Sequence, residues 1–292
     1  MNSFTIKDLE NISGIKAHTI RIWEQRYTFL KPNRTDTNIR VYSNEELKVL
    51  LNIALLNKYG FKISHISKMS PEEIREKIFT LNQSQAQQER IINELIQFMV
   101  DLDLQHFEML LNSYVINKGI EKTITQIIFP FLERIGVLWQ TNHINPAQEH
   151  LITNIIRQKL IVGIDKTVHP VMRSTSFLLY LPEGEYHEIG LLFISFLLKT
   201  KGLNVYYIGC NVPLKDVEYV VKAKQPHYVY THLTNIHNHP TLEKYLNALQ
   251  VRLPGSKILI SGKVIHDYKK KTAPNIQLMY SLHDVMEFIA DI

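Results

Sequence analysis

Three constellations in the chain could do chemistry. The first is Glu185-Tyr186-His187-Glu188-Ile189-Gly190, an imidazole with a carboxylate two residues before it and a glycine three after it. Imidazole is a common ligand for transition metals such as cobalt. A carboxylate accepting its second ring N–H fixes the tautomer and raises the basicity. The second is Trp139, followed after nine intervening residues by Glu149-His150. A short loop could bring these three over one surface, whereas Trp139 alone would suit core packing. The third is basic. His18, Thr19 and Arg21 lie on a short helical stretch, with Arg26 and Tyr27 at its end and Arg34 and Arg40 flanking a polar segment. Such groups suit a major groove and the phosphates beside it.

Charge separates the third constellation from the rest. Residues 1–70 hold 11 Lys/Arg against 6 Asp/Glu, and residues 71–292 hold 22 of each. The whole net charge of +5 thus lies in the first quarter of the chain, which suits a polyanion-binding module joined to a neutral body. A single cysteine, Cys210, excludes a disulfide framework within one chain, and no apolar run reaches the roughly 20 residues that span a bilayer. The start, MNSFTIKDLE, lacks the apolar core of a signal peptide. The chain is therefore expected to be cytoplasmic, with no membrane partner.

The elements that must position these residues follow from caps and periodicity. Thr5 can cap a helix ending at Gly14, and a second helix runs from Lys16 to Tyr27 with Ile20 and Trp23 on one face. Lys31–Tyr42 reads as a hairpin or wing. Ser43 with Glu46 is a capping box opening an apolar helix toward Gly60, and a short turn follows at Ser64. Residues 73–88 drift into Gln, Ser and Asn and read as a partly helical linker. Residues 89–172 carry four helical stretches, one ending at Gly119 and one capped by Asn145 ahead of Pro146, which predicts a four-helix bundle. From residue 173 short apolar strands alternate with helices, which predicts a doubly wound parallel sheet with ligands at the carboxyl ends of its strands. His187 would sit at that edge.

The run TIRIWEQRY followed by FLKPNRTDTNIRVYS resembles the MerR family of regulators over about residues 4–70. The resemblance implies a winged helix-turn-helix over residues 1–72 that binds a double-stranded DNA operator. Trp23, at a position where many members carry tyrosine, is similar to the photosensory cobalamin branch, although its spacing from Ile20 suits the core. Tyr27 could reach a phosphate or be core.

The Glu185-x-His187-x-x-Gly190 run resembles the cobalamin-binding signature, and two further pieces follow in order. Forty residues separate Gly190 from Thr231-His232-Leu233, and 27 separate Leu233 from Ser261-Gly262. The resemblance implies a Rossmann-like cobalamin-binding domain over residues 173–292, with His187 as the lower cobalt ligand. It also implies a nucleotide tail displaced into a groove beside the sheet, bonded by Thr231 and passing glycine backbone closely. Trp139 with Glu149-His150 resembles the cap of light-responsive repressors of the CarH/LitR type, where the tryptophan shields an adenosyl group. Two residues depart from the pattern. Ser261 stands where the family has glycine, and Gln140 follows Trp139 where such members carry histidine, with His143 nearby.

These readings predict a multidomain α and α/β chain: a non-enzymatic, homo-oligomeric (dimeric or tetrameric) repressor using adenosylcobalamin. A regulator keeping this fold for another ligand or a protein partner is the alternative. A corrinoid enzyme subunit is a rival that the basic N-terminal module argues against. His227, His232, His237 and His239 offer no fixed ligand spacing for zinc and read as solvated loop residues, and Cys210 as a small packing residue.

Overall fold

The computed structural model describes residues 3–140, 144–167, 173–234 and 239–292, the side chains at 137, 139, 140 and 239–241 excepted. The chain forms two compact units, Met1–Ile155 and Ile156–Ile292.

The first unit opens with α1 (Ile6–Ser13), α2 (Ala17–Arg26), a wing of β1 (Asn33–Arg34) and β2 (Arg40–Val41), then α3 (Asn44–Lys58), α4 (Ile63–Ile66) and α5 (Pro71–Phe79). Local chemistry sets these boundaries. Thr5 with Asp8 and Ser43 with Glu46 form reciprocal capping boxes, and α1 stops at Gly14 with φ of 73°. β1 and β2 pair antiparallel, with Asn38 left-handed in the turn between them. Trp23 is buried with Ile20, Leu9, Leu30 and Leu50. It is therefore a core residue. The 73–88 segment is more ordered than its composition suggests: Ser70, Pro71 and Glu73 start α5 with a further capping box.

The remaining helices are α6 (Ser84–Asp101), α7 (Leu104–Thr123), α8 (Phe129–Gln140) and α9 (Pro146–Asp165). Gly119, with φ of 81°, breaks α7 where the sequence places a helix end. A π turn over Ile124–Ile128 precedes Pro130, and the Phe129 N–H donates to the Ile124 carbonyl. Pro130 cannot continue the regular ladder, and the wider turn absorbs the missing donor. Asn145 Oδ1 accepts from Ala147 N–H at the start of α9.

The second unit holds β3 (Ser176–Pro182), α10 (Glu188–Thr200), β4 (Asn204–Val212), α11 (Leu214–Lys224), β5 (Tyr228–His232), α12 (His239–Arg252), β6 (Lys257–Ser261), β7 (Ile276–Met279) and α13 (Leu282–Asp291). The strands form one parallel sheet in the order β4-β3-β5-β6-β7. Every residue of β3 is buried, as a strand covered on both faces requires. Leu178, Tyr180, Val229, Ile258 and Ile260 share a core with Val217 of α11 and Leu242, Leu246 and Leu249 of α12. On the other face Phe177 stacks on Tyr228 at 4.8 Å, and Phe288 of α13 meets Tyr228 edge-on. The strand order reverses at β3, so the crevice lies beyond the carboxyl ends of β3 and β5.

Candidate functional site

Two sets of residues stand out, one in each unit. On α2, His18, Arg21, Gln25 and Arg26 are exposed and Thr19 is half-buried. His18, Arg21 and Gln25 follow helical spacing, so they form one solvent face opposite Ile20 and Trp23. Tyr27 is half-buried and stacks on Phe29 with centroids 5.8 Å apart. Arg34 is exposed at the wing, and its guanidinium donates to Asn38 Oδ1 at 2.7 Å. Arg40 is different. Its Nε lies 3.0 Å from both oxygens of Glu24, which also accepts from the Tyr42 hydroxyl at 3.1 Å. Burial first, and Glu24 second, push the Tyr42 phenol above its ordinary pKa. Glu24 thus ties α2 to the wing. No local signal marks it, because its partners lie 16 and 18 residues away.

In the second unit the loop from β3 to α10 is organised around one buried carboxylate. Glu185 Oε1 accepts from the N–H groups of Tyr186 and His187, both at 3.0 Å, and lies 2.5 Å from His187 Nδ1. Its Oε2 accepts from Thr234 N–H at 2.8 Å. This assigns the ring proton to Nδ1 and the ring lone pair to Nε2. Gly184, with φ of 82°, donates to Asn211 Oδ1, and Asn211 N–H donates to the Glu185 carbonyl, which pins the loop to β4. The His187 side chain is about half exposed, at 47%.

The next residue, Glu188, accepts from Arg157 Nη2 at 2.6 Å and from the Tyr207 hydroxyl at 2.9 Å. Burial, then Glu188, raise the Tyr207 pKa. These positioning groups were also invisible in the sequence, being 31 and 19 residues from their partner.

Thr231 pairs in register with Tyr180, so both face α12. The Thr231 hydroxyl is buried beside the Tyr245 hydroxyl, which is bound to Tyr180 at 2.6 Å. Leu233 is buried, and its N–H donates to the Ser261 carbonyl at 2.8 Å. A Cβ at Gly262 would stand 2.2 Å from the Leu233 carbonyl oxygen, so the chain's own backbone demands this glycine. Gly190 lies in the first turn of α10 against His232.

The histidines expected in solvent are engaged instead. His227 Nδ1 accepts from Ser176 N–H at 3.1 Å, and His232 Nδ1 lies 2.8 Å from Ser261 Oγ. Burial holds the His232 pKa down at about 4, against the pull of Glu185. Among the described residues no three His, Cys, Asp or Glu side chains gather as a metal cage. His143 and His237 lie outside the described residues, as does the side chain of His239. Cys210 is half-buried in β4.

The residues present fit a corrinoid. A corrin supplies its own equatorial ligands, so one histidine with a carboxylate behind it suffices. Of the cap residues, Glu149 is half-buried and His150 exposed in the first turns of α9. Trp139 is the penultimate residue of α8, its side chain outside the described set.

Comparison with known proteins meets this geometry at each domain. Residues 4–73 match the MerR HTH family regulatory protein, and residues 91–162 and 176–279 each match a B12 binding domain. The class is that of DNA-binding transcription regulators that depend on cobalamin, and the chain belongs to the MerR-type family carrying B12-binding domains. Among its members, the HTH-type transcriptional repressor CarA of Myxococcus xanthus is 30% identical over 211 residues, 71% of this chain and 68% of CarA. The HTH-type transcriptional repressor CarH of the same organism is 24% identical over 274 residues, 91% of each chain. The Methanosarcina barkeri monomethylamine corrinoid protein shares the fold, with a TM-score of 0.52, 12% identity, and 70% of this chain and 98% of that one covered. Among the described residues no helix is long and apolar enough to cross a membrane.

Proposed function

We propose that the chain is a cytoplasmic, homo-oligomeric repressor, a dimer or tetramer, that binds a double-stranded DNA operator and uses adenosylcobalamin as a light-labile effector without catalysing a reaction. The observation that carries this reading is the Glu185–His187 pair at the carboxyl edge of a parallel sheet, on a chain that also bears a winged helix-turn-helix. Adenosylcobalamin, when bound, supplies a cobalt–carbon bond that green light breaks.

His187 would hold the cobalt through Nε2, with Glu185 keeping that nitrogen basic. The displaced nucleotide tail would run on the α10 side of the sheet, in a groove to which Gly190, Leu233, Ser261 and Gly262 contribute; Thr231, expected to bond it, faces α12 on the other side instead. Trp139, with Glu149 and His150, would shield the adenosyl group. A ligand that binds one assembly better than another shifts the balance between them by that difference alone. The full-length protein loaded with adenosylcobalamin in the dark should therefore elute as a larger species than after green light. Equal elution volumes in both would exclude the light-responsive reading.

On DNA, His18, Thr19 and Arg21 would meet base edges, while Arg26, Tyr27, Arg34 and Arg40 would hold phosphates. Arg34→Ala should weaken binding to all sequences alike and lower the salt dependence of log K by about 0.9. Fluorescence anisotropy over a salt series checks this. A change confined to sequence preference would remove the phosphate assignment. Arg40→Ala should in addition lower stability, since it strips the cation from Glu24.

A further inference from the structure

The room beside Gly190 is already taken. A Cβ on Gly190 would lie 3.0 Å from both Cδ2 and Nε2 of His232 and 3.3 Å from its Cε1, so the imidazole rests against the bare glycine. At the ring's other edge Nδ1 meets Ser261 Oγ, which also bonds the Tyr230 hydroxyl. His232 and Ser261 face each other in register across β5 and β6, on the side of the sheet opposite Thr231. The ring is thus fixed by packing on one edge and by a hydrogen bond on the other. Ser261 is also the residue that departs from the glycine expected there, and the structure gives its side chain a use: it anchors His232.

We propose that the His232–Ser261 pair sets which corrinoids this chain accepts: by filling the room beside Gly190, it makes the protein bind tail-less corrinoids about as tightly as complete cobalamins. The inference rests on the cobalamin reading above, in which a nucleotide tail displaced by His187 enters this groove. A complete cobalamin must push the imidazole out and break its bond to Ser261. A corrinoid without the tail leaves both in place. One net hydrogen bond corresponds to about a fivefold change in affinity.

The test titrates the full-length protein with diaquocobinamide, which has no nucleotide tail, and with aquocobalamin, and follows each corrin spectrum. The wild-type protein should bind the two within about threefold of each other. His232→Ala should shift the ratio toward aquocobalamin by about fivefold or more, and Ser261→Gly, which frees the ring without removing it, should shift it the same way by less. Thermal melting of each variant establishes that it is folded, and either folded variant suffices. A wild-type preference for aquocobalamin above about tenfold, or no shift in the folded variants, overturns the proposal alone. Failure of the wild-type protein to bind either corrinoid overturns it together with the cobalamin reading.

Discussion

His187→Ala should lower the affinity for aquocobalamin by more than the about 10–100-fold that loss of an outer-shell partner costs, and abolish the spectrum of histidine-coordinated cobalt. It should do so without unfolding the domain. The side chain is about half exposed, and Glu185 keeps three backbone donors, from Tyr186, His187 and Thr234, when the imidazole is removed. The buried carboxylate therefore stays satisfied, which spares the cost of an orphaned charge. Glu185→Gln should be milder, within that 10–100-fold range, because the ligand remains and only its orientation and basicity suffer. Absorbance titration beside a circular-dichroism melt separates the two effects. An unchanged cobalt spectrum in His187→Ala would remove His187 from the role of ligand.

Gly262→Ala should be among the most destabilising single substitutions in the second unit, at about 3 kcal/mol or more and about 10 °C in Tm. The backbone there has φ of 112° and ψ of 170°, a region that only glycine occupies readily. A Cβ would also stand 2.2 Å from the Leu233 carbonyl oxygen, which accepts from Val264 N–H, while Leu233 N–H is bound to Ser261. The obstacle is hydrogen-bonded backbone and cannot swing aside like a flexible side chain. Gly184→Ala is the matched control. Its φ is also positive, but a Cβ meets nothing within 4 Å, so its cost should be about 1 kcal/mol. Calorimetry of both variants would settle the comparison, and equal melting temperatures would contradict the steric argument.

The parts of this molecule that could be read from its sequence are those with local causes. Thr5 and Gly14 bracket α1, Ser43 with Glu46 starts α3, and Gly119 breaks α7, because each cap or break involves residues three or four apart. The alternation of strands and helices likewise announces the parallel sheet. The Glu185-x-His187 spacing is short enough to be seen, and the structure brings the two side chains together.

The contacts that no local pattern marks are tertiary. Glu24 serves the wing from α2, and Arg157 and Tyr207 converge on Glu188 from two other elements. No periodicity encodes such meetings. His232 misled for a related reason. A strand buried on both faces gives its polar residues no alternating signature, so a packed imidazole reads like one in a solvated loop.

The single carboxylate of Glu185 joins two stretches of chain that are far apart in sequence: the turn at 186–187 through one oxygen and the segment after β5 through the other. It therefore acts as a constraint on inheritance as well as on geometry. A one-methylene retreat to aspartate would have to give up either the imidazole or Thr234, unless the backbone of one loop moved to meet it. Position 185 and the 232–234 segment are accordingly expected to drift through descent as a linked pair, with a change at one tolerated only in lineages that have already adjusted the other.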